Sequence, residues 1–510
     1  CPICDKGGEC PLQDNTFGYG PGASRFTEEK RHKEKAFPLG PEIVLDRERC
    51  IMCYRCVRFH QEIPGDEALA AVERGADSEI ATLGGEPYTS MFAGNTIELC
   101  PVGALTSRRY RFKARPWDLV RTASVCNGCS VGCNVEVDSR SEHVLRLTSR
   151  LNPTVDDGWL CDRGRFETLP APAESRARRP MVRRGDTLEP STWDEALDRA
   201  AELLGASGGV LASTGLSNEA FWVLQQLSPR VPGALWPSAG QAWPVEGKIA
   251  NLLHCKNIVL VGLDAWEDLP VLALWIRRAV VGGGGGGGAR LTVLGDANGL
   301  WRSTATWLKG DPLAQLDQVE AVDGPAAVLA HPSLVAQGRA QLEALAARLG
   351  ATGETGLVGA PLFGANGRGA LEIAPGLAHG DVDQVLTAKA LLAIGDEAWT
   401  SLRAGSFAKV VLATSGAFAD VPQVDVVLPL THAYERQASV CNLEGRVQHQ
   451  EGGASPPVQA RTDWGIAAEL AARLNVAVAD AESLEQIRRR IASEHPALVE
   501  VVREEVLARA

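Results

Sequence analysis

With 510 residues, the chain is too long for one ordinary domain and can bury several separate cores. Its 63 acidic and 51 basic side chains leave a net charge of −12, and the lack of a long basic run argues against nucleic acid as a partner. The most apolar region, 257–281, contains five charged residues, so it lacks the roughly 20 uncharged residues that a membrane-spanning helix needs.

Eleven of the thirteen cysteines lie within the first 161 residues, in three groups with different spacings. A secreted disulfide scaffold is normally short, so the large cysteine-poor remainder of the chain argues against disulfides. Zinc stays open as an alternative, because paired Cys-x2-Cys groups also form tetrahedral thiolate sites. The spacings favour iron-sulfur clusters, and with them electron transfer, on these ligands: Cys1, Cys4 and Cys10; Cys50, Cys53, Cys56 and Cys100; Cys126, Cys129, Cys133 and Cys161.

The first group, Cys1, Cys4 and Cys10, supplies only three thiolates, whereas a complete cluster site needs a fourth ligand. His32 lies in the charged stretch 28–35, where we expect a solvated side chain. The chain opens directly on Cys1 without an initiator methionine, so we expect that its own start is missing.

The second group begins like a bacterial ferredoxin run, in which three close thiolates hold three irons of one [4Fe-4S] cubane. The last cysteine of such a run is followed by proline, and Cys100-Pro101 supplies that end. A second cubane would need thiolates at four positions of this segment that hold other residues: His60, Ser90, Ala93 and Thr96. We therefore predict that one cubane is kept and the other lost, with His60 in a structural role.

The third group, Cys126-x2-Cys129-x3-Cys133-x27-Cys161, has a wider second gap and a long arm to its fourth thiolate. Four cysteines predict one complete [4Fe-4S] site, with zinc as the alternative. Small residues are frequent in 125–133, and they let backbone amides turn toward the sulfurs of a cluster and tune its potential.

Beyond Cys161 the sequence pattern becomes α/β. Helical patterns at 217–227 and 334–349 alternate with short apolar runs, as βαβ connections require. We predict a doubly wound parallel sheet whose buried strands are 209–213, 257–262, 291–295, 326–330, 391–395, 409–413 and 424–430.

Two further features of this part suggest ligands but have simpler interpretations. The seven glycines of 282–288 would suit a phosphate loop, but no Gly-Lys-Ser/Thr follows and the run joins a helix to the next strand, so we predict a flexible linker. Cys255 and Cys441 lie beside apolar strand residues, and both are predicted to be buried thiols.

The first fourteen residues, CPICDKGGECPLQD, resemble a segment of the large iron-sulfur subunit of respiratory complex I, the proton-pumping NADH:quinone oxidoreductase. Residues 46–59 and 100–105 match the next cluster site of that family. The resemblance implies that Cys1, Cys4 and Cys10 hold a [4Fe-4S] cluster together with a histidine four positions upstream, and that a further N-terminal domain holds a [2Fe-2S] cluster. That histidine and that domain lie outside this chain.

The third group resembles the iron-sulfur domain at the front of molybdopterin oxidoreductases, which some bacterial members of the complex I family retain away from the main electron route. Molybdenum enzymes usually carry a lysine in the segment where this chain has Arg163. Residues 425–429 and 442–448 resemble the molybdopterin-oxidoreductase domain of the same subunit, but the residue that would bind molybdenum is not found. We therefore expect no molybdopterin.

The resemblance implies three [4Fe-4S] clusters that pass single electrons from flavin toward quinone, with no catalytic residue on this chain. It divides the chain into four parts: a His/Cys3-type [4Fe-4S] domain, incomplete at its N-terminus, at 1–45; a ferredoxin-like domain with one [4Fe-4S] cluster at 46–118; a molybdopterin-oxidoreductase-type [4Fe-4S] domain at 119–175; and an α/β molybdopterin-oxidoreductase-like domain at 176–510.

The implied partners are the other peripheral-arm subunits of complex I, including the flavin-bearing subunit, and indirectly the membrane arm, on the cytoplasmic side of the bacterial inner membrane. The alternative is the catalytic subunit of a molybdopterin-dependent, NAD-linked formate dehydrogenase, which usually keeps both ferredoxin cubanes and a metal-binding cysteine or selenocysteine. A zinc-stabilised scaffold without redox function is a third alternative.

Overall fold

The N-terminal part of the computed structural model is a small antiparallel sheet with short helices around it. The structure describes residues 1–141, 143–236, 242–282, 288–296, 305–398, 409–418, 423–457, 459–496 and 498–500. Apolar side chains of the sheet, among them Ile43, Leu45 and Leu105, are buried. The elements of this part are α1 (Pro11–Tyr19), β1 (Phe37–Pro38), β2 (Ile43–Leu45), α2 (Arg55–Glu62), β3 (Ala70–Val72), β4 (Glu79–Ala81), α3 (Asn95–Leu99) and β5 (Leu105–Ser107), with β1, β2 and β5 forming the sheet.

A second antiparallel sheet follows, formed by β6 (Val120–Val125), β7 (Asn134–Arg140) and β8 (His143–Ser149). The loop between β6 and β7 carries three cysteines of the third group. The amide of Cys126 donates to the carbonyl of Cys133 at 2.8 Å, which closes this loop at its base.

The first α/β unit is a seven-stranded sheet in the order β10-β9-β21-β20-β19-β11-β12. Its central strands pair in parallel and are buried along almost their whole length, as a sheet covered on both faces requires. The strands are β9 (Met181–Arg184), β10 (Thr187–Pro190), β11 (Gly208–Ser213), β12 (Gly233–Trp236), β19 (Ala390–Ile394), β20 (Lys409–Thr414) and β21 (Val424–Pro429).

The second α/β unit is a six-stranded sheet in the order β13-β18-β17-β14-β15-β16, which the chain builds between β12 and β19. All its pairs are parallel except that of β13 with β18. The strands are β13 (Glu246–Gly247), β14 (Asn257–Val261), β15 (Arg290–Leu294), β16 (Ala305–Leu308), β17 (Ala326–Ala330) and β18 (Leu357–Gly359).

Helices cover both sheets, and their starts follow local sequence rules. Thr192 caps α4 by accepting a hydrogen bond from the amide of Glu195, and Ser217 caps α5 in the same way through Ala220. The helices are α4 (Trp193–Ser207), α5 (Asn218–Leu227), α6 (Ala265–Asp268), α7 (Pro270–Val281), α8 (Pro332–Arg348), α9 (Gly367–Ile373), α10 (Pro375–Ala378), α11 (Val382–Leu386), α12 (Asp463–Arg473) and α13 (Leu484–Glu494).

The C-terminal part adds a hairpin of β22 (Ala438–Cys441) and β23 (Arg446–Gln450), joined by the short β24 (Val499–Glu500). Among the helices of the described residues, none combines the length and the apolar character needed to cross a bilayer. Gly282 ends α7 and Gly288 precedes β15, while residues 283–287 of the predicted linker 282–288 lie outside the described residues.

The parallel α/β prediction is confirmed, since each of the seven predicted strands is a strand with parallel neighbours. The strands differ from the expectation in one respect, because they belong to two sheets rather than one. Runs 257–262, 291–295 and 326–330 lie in the six-stranded sheet, and the other four lie in the seven-stranded sheet. An apolar run shows that a strand is buried but does not show which strand lies beside it.

Candidate iron-sulfur centres

The second cysteine group lies around one small apolar cavity. Cys50, Cys53, Cys56 and Cys100 all line it, together with Leu45, Ile80, Val102, Ala104 and Leu105. Cys56 and Cys100 are buried, and Cys50 and Cys53 are partly exposed. The structure therefore brings these four predicted ligands together.

Backbone geometry places these four thiols. Met52 and Tyr54 adopt the left-handed conformation, with φ of 51° and 59°, which turns the Cys50 loop sharply into α2. Cys56 then lies in the first turn of α2, while Cys100 ends α3 and is followed by Pro101. A helix beginning and a helix end thus face the same cavity.

The four thiols also influence one another electrostatically. Burial raises the pKa of Cys56 to about 12, and the neighbouring sulfurs of Cys100, Cys50 and Cys53 contribute to the rise. Burial likewise raises the pKa of Cys50. Several thiolates can share such a site only when a positively charged group binds among them, so the donor set suits a metal cluster.

The first group packs against the loop that follows Cys100. The thiol of Cys10 donates to the carbonyl of Pro101 at 3.5 Å. A Cβ on Gly103 would lie 2.0 Å from the sulfur of Cys4, so only glycine leaves room for that thiol. Cys1 is exposed and adjoins Cys4 through a tight turn, in which the amide of Cys4 donates to the carbonyl of Cys1 at 3.0 Å.

His32 was expected to be solvated, and its side chain is 82% exposed. Its Nδ1 lies 3.1 Å from the carboxylate of Glu48.

The third group consists of four buried thiols, Cys126, Cys129, Cys133 and Cys161. Burial raises the pKa of Cys161 to about 12, with a further contribution from Cys129, and it raises the pKa values of Cys126 and Cys133 as well. These four predicted ligands therefore lie within electrostatic reach of one another.

Glycines bring backbone amides to the sulfurs of this group. The amides of Gly128 and Gly164 donate to the sulfurs of Cys126 and Cys161, each at 3.4 Å. A Cβ on Gly164 would lie 2.8 Å from the sulfur of Cys126. Amide donors of this kind stabilise negative charge on ligand sulfur, as the small residues of the loop predicted.

Arg163 connects the third group to the six-stranded unit. Its guanidinium donates to the carbonyls of Glu267 and Asp268 at 3.0 and 2.7 Å. Burial acts to lower the pKa of Arg163, but the neighbouring thiols Cys129 and Cys161 outweigh it and raise that pKa. Arg163 therefore places a permanent positive charge beside a candidate ligand.

The C-terminal hairpin covers the third group. The amide of Leu443 donates to the carbonyl of Ser130 at 2.7 Å, and Gln448 Nε2 donates to the carbonyl of Gly132 at 2.9 Å. The hydroxyl of Tyr434 accepts from the amide of Asn127 at 3.2 Å and is hydrogen-bonded to the hydroxyl of Thr168 at 2.8 Å. Sequence reasoning missed Tyr434, and its position shortly before the motif at 442–448 was the only signal.

The remaining two cysteines lie apart from these groups. Cys255 and Cys441 are buried, as predicted, and burial raises their pKa values to about 11 and about 12. Within the ranges that the structure describes, no three Cys, His, Asp or Glu side chains are close enough to hold a single metal ion.

The cysteine groups and the two parallel α/β units define a modular iron-sulfur protein. Three family models match it: "NADH-quinone oxidoreductase subunit 3, ferredoxin-like domain" over residues 40–106, "NADH-ubiquinone oxidoreductase NDSU1/NuoG-like, 4Fe-4S domain" over 119–168, and "Molybdopterin oxidoreductase" over 408–473. These matches confirm the resemblance to the large iron-sulfur subunit of NADH:quinone oxidoreductase.

Curated relatives agree with these family matches. The chain is 46% identical over 216 residues to a subunit of the NADH-quinone oxidoreductase of Streptomyces coelicolor, covering 42% of this chain and 25% of that protein. It is 42% identical over 305 residues to NADH-quinone oxidoreductase subunit 3 of Thermus thermophilus, covering 54% and 37%. The matches thus span less than two fifths of these relatives' own length. Among solved structures, acetylene hydratase from Pelobacter acetylenicus aligns with a TM-score of 0.44 and 14% identity, covering 69% of each chain.

Proposed function

We propose that this chain is an electron-transfer subunit of a proton-pumping NADH:quinone oxidoreductase, passing single electrons from flavin toward quinone. The observation that carries the proposal is the shared cavity of Cys50, Cys53, Cys56 and Cys100, whose ferredoxin spacing and buried thiols suit a [4Fe-4S] cluster. Bound there, such a cluster supplies reversible one-electron transfer. The residues of the chain hold the sulfurs, exclude water and set the potential through charge and hydrogen bonds.

The first group is proposed as the neighbouring centre. Cys10 and Cys4 contact Pro101 and Gly103, which follow directly on the second-group ligand Cys100. The first and second groups thus adjoin at this short loop, and in the proposal electrons pass between their clusters. In this proposal Cys1, Cys4 and Cys10 hold a [4Fe-4S] cluster whose histidine ligand belongs to a segment outside this chain, as does the [2Fe-2S] domain.

The third group, Cys126, Cys129, Cys133 and Cys161, is proposed to hold a third [4Fe-4S] cluster away from the main route. Its thiols are buried, and the loop that carries three of them is covered by the C-terminal hairpin. The proposed domain division remains 1–45, 46–118, 119–175 and 176–510.

The α/β part is proposed to work without molybdopterin. Ligands of open parallel sheets bind at the carboxyl ends of two adjacent strands whose following connections run in opposite directions. In the seven-stranded sheet these two strands are β11, which is followed by β12 on one side, and β19, which is followed by β20 on the other. The described residues of this crevice include the carboxylates of Asp396 and Glu397, and Asp396 already accepts from Thr414, Ser415 and Gly416 at 2.6 to 2.9 Å. Carboxylates repel the phosphates of a pterin cofactor, and Arg436, which also lines this crevice, is already paired with Asp463 at 2.7 Å, so these residues suit such a cofactor poorly.

The proposed partners are the other peripheral-arm subunits, including the flavin-bearing subunit, with the membrane arm reached indirectly. The proposed location is the cytoplasmic side of a bacterial inner membrane. The relatives' names support this proposal rather than the formate dehydrogenase alternative.

Quinone reduction by the assembled complex tests the proposal. Cys53→Ala should stop NADH-driven quinone reduction, because it removes one ligand of the second group. Cys129→Ala should largely spare turnover if the third cluster lies off the route, and Cys255→Ala is the matched control, a buried cysteine outside the groups. Normal turnover in Cys53→Ala would contradict the proposal. Full loss of turnover in Cys129→Ala would show that the third cluster lies on the main electron route.

A further inference from the structure

A buried hydrogen-bond network occupies the positions at which a second cubane would need its ligands. His60 Nε2 lies 2.5 Å from the hydroxyl of Tyr88, and His60 Nδ1 lies 2.6 Å from Asp66 Oδ1. Ser90 donates to the other carboxylate oxygen of Asp66 at 2.6 Å. The hydroxyl of Tyr88 donates in turn toward Thr96 Oγ1 at 3.5 Å. Three of the four vacated positions, His60, Ser90 and Thr96, therefore meet in one network.

Three members of this network, His60, Tyr88 and Thr96, are closed off from solvent. His60 and Thr96 are 0% exposed and Tyr88 is 2% exposed. Burial of a polar side chain is costly unless a partner satisfies it, and here each side chain has one. Burial raises the pKa of Tyr88 well above its usual range. Burial also acts to raise the pKa of Asp66, but His60, Ser90 and the amide of Ala68 together outweigh it and lower the pKa of that carboxyl. The network therefore joins a neutral phenol to a carboxylate.

The network also bridges the two helices that carry the buried thiols of the second group. His60 lies on α2 one turn after Cys56, so the two residues share a face of that helix. Thr96 lies on α3 one turn before Cys100. Tyr88 stands between His60 and Thr96, and it belongs to the same apolar core as Cys56 and Cys100. The bridge thus joins the two helices at positions one turn away from each of the two thiols.

One side of the bridge borders the protein surface. A surface cleft is lined by Asp66, Tyr88, Ser90 and Phe92, among others. The cavity of the second cysteine group is lined by the four cysteines and mainly apolar residues, with Arg55 among them. Tyr88 thus lines the cleft on one side and shares an apolar core with Cys56 and Cys100 on the other.

We propose that His60, Tyr88 and Thr96 are positioning residues that replace the second cubane: they fix Cys56 relative to Cys100 and keep water from the cluster that these cysteines hold. The inference rests on the proposed function, since it assumes that cluster. Reduction adds a negative charge, which water stabilises, so a loosened bridge raises the potential of this cluster. The other clusters lie outside the bridge and keep their potentials.

An EPR-monitored redox titration of the cluster-loaded chain tests the inference through Tyr88→Phe, which removes the bridging hydroxyl and keeps the ring. The signal of the second-group cluster should persist with a more positive midpoint potential, while that of the third cluster is unchanged. Tyr110→Phe is the matched control, because Tyr110 is also buried and its hydroxyl donates to the carbonyl of Ala114, outside the network. An unchanged midpoint in Tyr88→Phe would overturn the inference.

A second pair of variants decides the case in which Tyr88→Phe loses the cluster altogether. Thr96→Val should raise the same midpoint potential, and Thr96→Ser, which keeps the hydroxyl, should return it to that of the unsubstituted protein. Equal midpoints in the two variants would overturn the inference. Absence of any EPR signal from the second-group cluster in the unsubstituted protein would instead contradict the proposed function.

Discussion

The thiol of Cys10 lies 3.5 Å from the carbonyl oxygen of Pro101, the residue that follows Cys100. Two cysteine groups that are far apart in the sequence thus meet at a single short loop. The same loop contains Gly103, whose missing side chain leaves the space that the sulfur of Cys4 fills.

Gly103→Ala should therefore disturb the first cysteine group. The new methyl group would lie 2.0 Å from the sulfur of Cys4, so that thiol must move. We expect weakened iron binding and an altered EPR signal at the first group, with the third group unaffected, measured on the intact subunit. Gly18→Ala is the control, since a Cβ there meets nothing within 4 Å. Equal iron content and identical spectra in the two variants would show that the thiol of Cys4 does not occupy this space.

Arg163→Gln should lower the midpoint potential of the third cluster. The guanidinium lies close enough to Cys129 and Cys161 for these thiols to raise its pKa, and its positive charge favours the more negative reduced state. We expect a shift on the order of 60 mV, which corresponds to a tenfold change in equilibrium constant for one electron. Arg163→Lys keeps the charge and should shift the potential less in the same titration. A higher midpoint potential of the third cluster in Arg163→Gln would contradict a stabilising effect of this charge on the reduced cluster.

Tyr434→Phe should destabilise the contact between the C-terminal part and the third group. The lost hydroxyl leaves the partly buried amide of Asn127 without its acceptor, which costs about 1 kcal/mol. Thermal unfolding followed by circular dichroism should show a lower midpoint temperature than for Tyr19→Phe, whose ring is 90% exposed. Identical midpoints would argue that Tyr434 contributes through its ring alone.

His432 makes stability depend on pH. Burial lowers its pKa to about 4 from an ordinary 6.5, and its Nδ1 accepts from the amide of Tyr434, which only the neutral ring can do. Between these pH values the unfolded chain binds a proton that the folded chain does not, so stability falls as the pH drops, by up to about 1.4 kcal/mol per pH unit.

The difference in unfolding temperature between about pH 7 and about pH 5 measures this contribution. We expect a smaller difference in His432→Gln than in the unsubstituted protein. His254→Gln, at an exposed histidine, should behave like the unsubstituted protein. A pH dependence that His432→Gln leaves unchanged would assign the effect to other groups.

Sequence patterns identified the strands of the α/β part because buried parallel strands are continuous apolar runs bounded by glycine or polar residues. They did not reveal that β13 to β18 form their own sheet, since a strand's neighbours depend on long-range packing. Cysteine spacing likewise pointed to ligand sets, but the contacts of Tyr434 and Arg163 join residues that lie far apart in the sequence. The sequence did not predict the bridge of Tyr88 for the same reason, although it identified His60 and Thr96, the two residues that Tyr88 joins, as positions where a second cubane lacks its ligands.

Iron and sulfide analysis combined with low-temperature EPR, on the reduced unsubstituted chain, Cys53→Ala and Cys255→Ala, tests the central claim most directly. We predict iron and sulfide in cubane ratio without molybdenum, with one cluster signal missing in Cys53→Ala and every signal kept in Cys255→Ala. The same iron content and the same spectrum in all three proteins would contradict the assignment of a [4Fe-4S] cluster to Cys50, Cys53, Cys56 and Cys100.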